Sequence, residues 1–142
     1  MDCPGLMENS AGARLFVYGT LRKGFRAHGL LQRFHARLLG AGHIRGWLYD
    51  LGGYPGAAEG TGAQGFVEGE LYSLPRAEAA FKVLDGFEGF DPARPASNEF
   101  KRKETTVIMA GGGRTRAWIY WLSRAHASKR RILSGNYAPH RK

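Results

Sequence analysis

The sequence predicts one α+β domain: a small mixed, mostly antiparallel β-barrel of five to six strands with two flanking helices. The 142 residues have the size of a single domain, and 43% of them are hydrophobic, enough for a core. Several short segments have strand-like patterns and two have helical periodicity. The 21 glycines, about twice the usual share, stand at several strand ends, where they allow a sheet to curl.

The first half of the chain is predicted to hold three strands and one helix. Residues 1–13 are small, polar and aperiodic, and we expect a flexible leader there. Arg14–Tyr18 is rich in β-forming residues and ends at a glycine, which predicts a buried strand. Apolar residues at spacings of three and four predict an amphipathic helix over Ala27–Leu39. His43–Leu51 and Phe66–Leu74 alternate, which predicts two strands joined by a glycine-rich connection.

A second helix is predicted after these strands. Pro75 suits the first turn of a helix, with Ser73 or Leu74 as its cap, and apolar residues follow at helical spacing. The helical pattern ends within residues 84–91, which glycines interrupt. Residues 92–98 have the composition of a loop.

A β-hairpin is predicted next. Thr105–Met109 and Arg116–Leu122 have strand composition, and three glycines at 111–113 join them. The second strand is apolar on both faces, so we expect it to be central or covered on both sides. One face carries Trp118, Tyr120 and Leu122, and the other carries Ala117, Ile119 and Trp121.

The net charge of +9 first suggests a nucleic acid or an acidic membrane as the partner. Residues 1–104, however, carry thirteen basic and twelve acidic side chains, a net of +1, whereas residues 105–142 carry eight basic and no acidic ones. We therefore divide the chain into a domain over 14–122 and a basic C-terminal tail over 123–142. Because the basicity is peripheral, it argues against nucleic acid as the main partner.

Cysteine usage and hydropathy indicate a reducing, cytoplasmic setting. Cys3 is the only cysteine, which excludes an internal disulfide and a cysteine-based zinc site. The sequence has no signal-peptide pattern and no apolar run of about 18 residues, so no membrane association is expected. His28, His35 and His43 are seven and eight residues apart and form no local ligand pair, so no metal is expected.

Two motifs contain residues that are suited to binding or catalysis. In the first, FVYGTLRKG (16–24), a glycine follows a buried strand, so that consecutive backbone amides can turn outward and bind an anion. An ordinary strand-terminating turn fits the same letters. In the second, LDGFEG (84–89), Asp85 and Glu88 stand beside aromatic residues that raise a carboxyl pKa towards the range of proton transfer. Taken alone, that pattern favours a solvated helix end with two surface acids, and a calcium site formed with Asp91 fits less well still.

Five motifs in order carry a family resemblance. YGTLRKG is followed by W-L-Y-D-L-x-x-Y-P-G (47–56), G-x-V-x-G-E-L-Y-x-L (65–74), L-D-x-x-E-G and K-R-x-x-x-x-V. Over about Leu15 to Leu122 the chain resembles the gamma-glutamyl cyclotransferase-like superfamily. It is most similar to the branch typified by gamma-glutamylamine cyclotransferase.

This resemblance implies an enzyme without a cofactor that acts on a small-molecule gamma-glutamyl substrate and releases 5-oxoproline and an amine or amino acid. It implies that the glutamyl group is held by backbone amides of the first motif, and that Glu88 is the general acid/base while Asp85 is structural. The residues of that first motif are Tyr18, Gly19, Thr20 and Leu21. Tyr120, in the last strand, is placed to line the substrate pocket.

The chain departs from the family pattern in two places. Many relatives have Tyr-x-Arg where this chain has Phe100-Lys101-Arg102, and residues 90–98 form an enlarged loop close to Glu88. Both departures bear on substrate identity. Two alternatives stay open: a catalytically silent binder of a gamma-glutamyl-like ligand, and a binder of RNA or another polyanion through the basic tail. For the latter, Trp118, Tyr120 and Trp121 offer rings on which bases could stack.

Overall fold

The computed structural model describes most of the chain, as residues 13–22, 27–52, 54–59, 65–91, 93, 98–123 and 130–137. Within this part lie two helices, α1 (Gly29–Arg33) and α2 (Ala77–Phe87). The strands are β1 (Ala13–Val17), β2 (Arg37–Arg45), β3 (Trp47–Asp50), β4 (Pro55–Ala58), β5 (Phe66–Leu74), β6 (Phe100–Met109), β7 (Arg114–Leu122) and β8 (Arg130–Arg131).

Five strands close a barrel in the order β1, β5, β2, β6, β7, because β1 also pairs with β7. That closing pair is parallel, with Leu15 opposite Trp118, while the other four pairings of the barrel are antiparallel. Strands β4, β3 and β8 continue the sheet from β7. The predicted mixed, mostly antiparallel barrel with two helices is confirmed. Strands β4 and β8 were not predicted, since β4 lies in the glycine-rich connection and β8 in the basic segment.

Strand β7 is covered on both faces, as its composition predicts. Tyr120 and Leu122 belong to a core cluster that includes buried residues of both helices. Ala117, Ile119 and Trp121 belong to a second cluster, which draws its buried residues from the strands and nearby loops. Every residue of β7 from Ile119 onward is buried. The strand therefore separates two apolar layers.

The predicted helix over Ala27–Leu39 is wrong beyond Arg33. The helix stops after five residues, since His35 takes a left-handed conformation with φ of 58° and the Ala36 amide donates to the Leu31 carbonyl at 3.0 Å. The chain then turns into β2, which pairs with β5. Leu38, which the helical pattern would bury, is 47% exposed.

Three other predictions differ in their bounds. Helix α2 begins at Ala77 with Arg76 as its N-cap residue, so the predicted cap at Ser73 or Leu74 is wrong: both belong to β5. The predicted strand His43–Leu51 is divided at Gly46 into β2 and β3. The strands of the hairpin are longer than predicted, and its glycine turn is confirmed by a hydrogen bond from the Met109 amide to the Gly113 carbonyl.

The ends of the chain are described in part. Residues 1–12 of the predicted leader, residues 92 and 94–97 of the predicted loop, and 124–129 and 138–142 of the predicted tail lie outside the described residues. Ala13 belongs to β1. No helix in the described ranges is long and apolar enough to cross a membrane.

The described part of the C-terminal segment packs on the domain. Arg131 lies over the Trp47 ring, 3.6 Å from its centroid, and the Gly135 carbonyl accepts from the Glu68 amide at 2.8 Å. Tyr137 is buried. Gly135 has a positive φ of 73° and lies against the Phe66 carbonyl, where a side chain would collide. At least one basic side chain of this segment, Arg131, therefore contributes to packing on the domain.

Candidate active site

A cavity of about 330 Å³ opens where the end of β1 meets the end of α2. Residues from distant parts of the sequence line it, and they include all six of the predicted site residues: Tyr18, Gly19, Thr20, Leu21, Glu88 and Tyr120. The barrel therefore brings the two sequence motifs to one place. Neither motif on its own distinguished a site from an ordinary turn or helix end.

The residues after β1 form a tight turn at the wall of the cavity. The Arg22 amide donates to the Gly19 carbonyl at 3.0 Å, and among the described residues no backbone carbonyl accepts from the amides of Thr20 or Leu21. Those amides are available to an anion. Gly19 is required by close approach, since a Cβ there would lie 2.7 Å from the Cγ atom of Pro55.

Hydrogen bonds from two side chains hold this turn in place. His28 donates from Nδ1 to the Leu21 carbonyl at 2.9 Å. The Arg22 guanidinium donates to the Asn136 side chain and to the Tyr137 carbonyl. The turn is therefore fixed both by α1 and by the C-terminal segment.

The Tyr18 hydroxyl is used within the fold. It donates to the Tyr120 carbonyl at 2.6 Å and accepts from the Ala57 amide at 3.1 Å, so it joins β7 and β4 at their parallel junction. Burial raises the pKa of Tyr18 above its ordinary value, with a smaller contribution from the charge of Glu88. Tyr18 therefore contributes its ring and backbone to the cavity.

Asp85 connects α2 to the barrel. It accepts two hydrogen bonds from the Arg102 guanidinium, at 2.8 and 3.1 Å, and one from the Tyr120 hydroxyl at 2.6 Å. Arg102 also lies over the rings of Phe81 and Trp118, 4.1 and 5.0 Å from their centroids. With its hydroxyl engaged by Asp85, Tyr120 borders the cavity with its ring.

Glu88 occupies the C-cap position of α2, and its amide continues the helical pattern by donating to the Leu84 carbonyl. The side chain is half-buried, and within the described part of the chain no hydrogen bond joins its carboxyl to another side chain. Burial, and then the charge of Glu99, raises the pKa of Glu88 to about 8. Near neutral pH this carboxyl can both hold and release a proton.

The structure adds residues to the site that sequence reasoning missed. Tyr54 and Glu99 line the cavity, and the Tyr54 hydroxyl donates to the Glu99 carboxylate at 2.5 Å. This hydrogen bond, together with burial, raises the pKa of Tyr54 to about 12. The family motif contains Tyr54, but no local pattern pairs it with Glu99. Phe100, where the family pattern expected from the sequence has tyrosine, also lines the cavity.

The other chemistries considered from sequence find no support among the described residues. No group of three histidine, cysteine, aspartate or glutamate side chains could hold a metal ion there. The proposed stacking rings are engaged in packing, since Trp121 is 2% exposed and Trp118 contacts Phe81 and Arg102.

The sequence pattern of the family described as "Gamma-glutamyl cyclotransferase, AIG2-like" matches residues 15–139. The chain belongs to this family. The match extends past Leu122, so it includes the C-terminal segment that packs on the barrel.

Known members of the gamma-glutamyl cyclotransferase family are similar over nearly the whole chain. The gamma-glutamylcyclotransferase family protein YtfP of Escherichia coli is 34% identical over 126 residues, covering 87% of this chain and 95% of the relative. Gamma-L-glutamyl-butirosin B gamma-glutamyl cyclotransferase of Niallia circulans is 36% identical over 112 residues, 78% of this chain and 67% of the relative. The crystal structure of an AIG2-like protein from Mus musculus shares the fold, with a TM-score of 0.72 at 22% identity over 90% of this chain and 89% of the other.

The Asp85 contacts should contribute substantially to stability. We expect Asp85→Asn to lower the free energy of unfolding by about 1–3 kcal/mol, because the half-buried Arg102 loses its charged partner. Urea unfolding measures the change. In the control Glu104→Gln, which removes an exposed ion pair to Arg116 of 3.8 Å, the loss should stay below about 0.5 kcal/mol. Equal losses of unfolding free energy in the two variants would show that the Asp85 contacts stabilise the fold no more than an exposed ion pair does.

The raised pKa of Glu88 predicts a pH-dependent cost to stability. The folded state keeps the proton up to about pH 8, whereas the unfolded chain releases it near 4.5, so stability falls as pH rises between these values. Glu88→Gln should therefore raise the melting temperature at pH 9 and leave it nearly unchanged at pH 4. If the melting temperatures of the variant and the wild-type protein differ by the same amount at both pH values, the raised pKa of Glu88 would be contradicted.

Proposed function

We propose that this chain is a cofactor-independent gamma-glutamyl cyclotransferase that releases 5-oxoproline and a free amine from a small gamma-glutamyl amide, with Glu88 as the general acid/base. One observation carries the proposal: a carboxyl whose pKa is about 8 lines the same cavity as the turn after β1, where no described backbone carbonyl accepts from the Thr20 and Leu21 amides. The cavity thus combines a proton carrier with an anion site, which are the two features that such a cyclisation needs.

The turn supplies the binding site for the glutamyl group. The amides of Gly19, Thr20 and Leu21 would bind its α-carboxylate, or the oxyanion that develops on the γ-carbonyl, and Gly19 keeps the backbone accessible. The rings of Tyr18 and Tyr120 provide apolar walls. A substrate held there has its γ-carbonyl close to its own α-amine, so that proximity lowers much of the barrier.

The reaction needs only one proton carrier. The α-amine of the substrate attacks the γ-carbonyl carbon, a C–N bond closes the five-membered ring, and the Glu88 carboxylate takes a proton from the attacking nitrogen. The protonated Glu88 then gives that proton to the departing nitrogen as the original amide bond breaks. 5-Oxoproline and the amine leave, no water is consumed, and Glu88 returns to its starting state.

The pKa of Glu88 suits this task. An α-amino group titrates at about 7.7–8.0 in peptides, so the carboxylate at about 8 can exchange a proton with it at little cost in either direction. An ordinary glutamate, with a pKa near 4.5, would be too weak a base. The burial that raises the pKa thus matches the base to its substrate.

We further assign the substrate to the gamma-glutamylamine class, in which the leaving group is an amine. The Niallia circulans relative bears a name in which the gamma-glutamyl group is attached to butirosin B. The exposed lining residues of the cavity, such as Phe87, leave room for a leaving group that extends into solvent.

We expect Glu88→Gln to reduce kcat by about 10²–10⁴-fold, because the amide cannot accept the proton from the attacking amine. Release of 5-oxoproline from a panel of gamma-glutamylamines, followed by chromatography, measures the loss. Glu78→Gln, an exposed acid in the first turn of α2, is the matched control and should retain activity. A Glu88→Gln enzyme with wild-type turnover would refute the mechanism. Binding without turnover in the wild-type protein would identify a silent ligand binder.

The same assignment predicts the pH profile. Glu88 must be ionised in the free enzyme to take the proton of the attacking amine, and the amine itself must be neutral, so kcat/KM should fall at least about tenfold per pH unit below about pH 8. Initial rates between pH 5 and 9 at low substrate concentration test this expectation. A profile that stays flat down to about pH 5 would contradict this assignment.

A further inference from the structure

The cavity holds a second carboxylate, Glu99, that the proposed reaction does not use. Its backbone is fixed on both sides, since its amide donates to the Gly89 carbonyl at 3.3 Å and its carbonyl accepts from the Ser123 amide at 2.9 Å. Its side chain is oriented by the Tyr54 hydroxyl at 2.5 Å. Glu99 is nevertheless exposed. It is therefore a positioned charge at the opening of the cavity.

The residues that line the cavity differ in exposure. Gly19 and Leu21 are buried, whereas Glu99 and Phe87, which is 48% exposed, reach the surface. In the proposed function the glutamyl group lies at the buried turn, where its chain folds back on itself for ring closure. The substituent on the departing nitrogen would then extend towards the exposed residues, which include Glu99.

The described lining of the cavity is negatively charged. Among the described residues that line the cavity there are two carboxylates, Glu88 and Glu99, and no lysine, arginine or histidine. The nearby cations have other partners, since Arg102 is bound to Asp85, and Lys101 pairs with Glu59 at 3.5 Å. The two carboxylates raise each other's energy, because the charge of Glu99 contributes to the raised pKa of Glu88. A cation between them would relieve this repulsion.

We propose that Glu99, oriented by Tyr54, selects substrates whose leaving amine carries a second positive charge a few carbons from the scissile amide. The leaving group would be a diamine or an amino sugar, whose second ammonium group would pair with Glu99. The exposed Phe87 ring also lines the cavity, where it can cover the aliphatic stem of such a group. The inference rests on the proposed function and adds a preference that the family assignment does not supply.

A pair of nearly isosteric substrates tests the preference. N-(γ-glutamyl)-1,4-diaminobutane and N-(γ-glutamyl)pentylamine differ in that an ammonium group replaces a methyl group. We expect the wild-type protein to favour the charged compound by at least about tenfold in kcat/KM, mainly through KM, and the ratio to shrink as salt is added. Measurement at pH 9 keeps Glu88 ionised in every variant, so that the ratio reports on Glu99 alone.

Three variants test whether Glu99 causes this ratio of kcat/KM values. Glu99→Gln should bring it close to one, and Tyr54→Phe, which leaves the carboxylate without its orienting hydroxyl, should reduce it partly. Glu78→Gln removes an exposed acid in the first turn of α2 that does not line the cavity, and should leave the ratio at the wild-type value. Circular dichroism verifies folding, and if Glu99→Gln does not fold, Tyr54→Phe decides the question.

The outcomes separate this inference from the proposed function. A wild-type ratio near one, with both compounds turned over, would overturn the selection by Glu99 and leave the cyclotransferase assignment intact. A high ratio that persists in both Glu99→Gln and Tyr54→Phe would also overturn it. Absence of 5-oxoproline from every gamma-glutamyl compound would instead overturn the proposed function itself.

Discussion

The hydrogen-bonded ion pair between Asp85 and Arg102 determines where the Glu88 carboxyl can lie. Helix α2 buries an apolar face on the barrel, and such apolar contacts are non-directional. The bidentate geometry of the pair, together with the Tyr120 hydroxyl, fixes the last turn of the helix relative to β6 and β7. Because Glu88 follows three residues later, its position over the cavity is set by these contacts.

Two acids at the end of one helix thus have opposite surroundings. Asp85 has charged and hydroxyl partners, whereas Glu88 is half-buried beside the charge of Glu99, and no described side chain donates to it. The surroundings of Glu88 favour a carboxyl that keeps its proton, because burial and the charge of Glu99 raise its pKa.

The sequence predicted the strands of the barrel better than it predicted the residues at which helices and strands end. Alternation in β5 and the two apolar faces of β7 are strong patterns, because burial imposes them directly on the residue order. The end of α1 at His35 depends on one left-handed residue, and helical spacing of leucines cannot reveal it. The site was predicted as two motifs, which the structure brings together. Tyr54 and Glu99, 45 residues apart, meet only through the packing of the folded chain, so no local pattern pairs them.

The hydrogen bonds from Arg22 to Asn136 and Tyr137 have a consequence for synthesis of the protein. The turn that precedes Arg22 is made early, but the residues that brace it are translated more than a hundred positions later. Before Asn136 and Tyr137 are in place, the turn is held by local contacts such as the hydrogen bond from the Ala27 amide to the Thr20 carbonyl and the His28 contact. The final ordering of this turn is therefore coupled to the docking of residues 136 and 137 on the barrel.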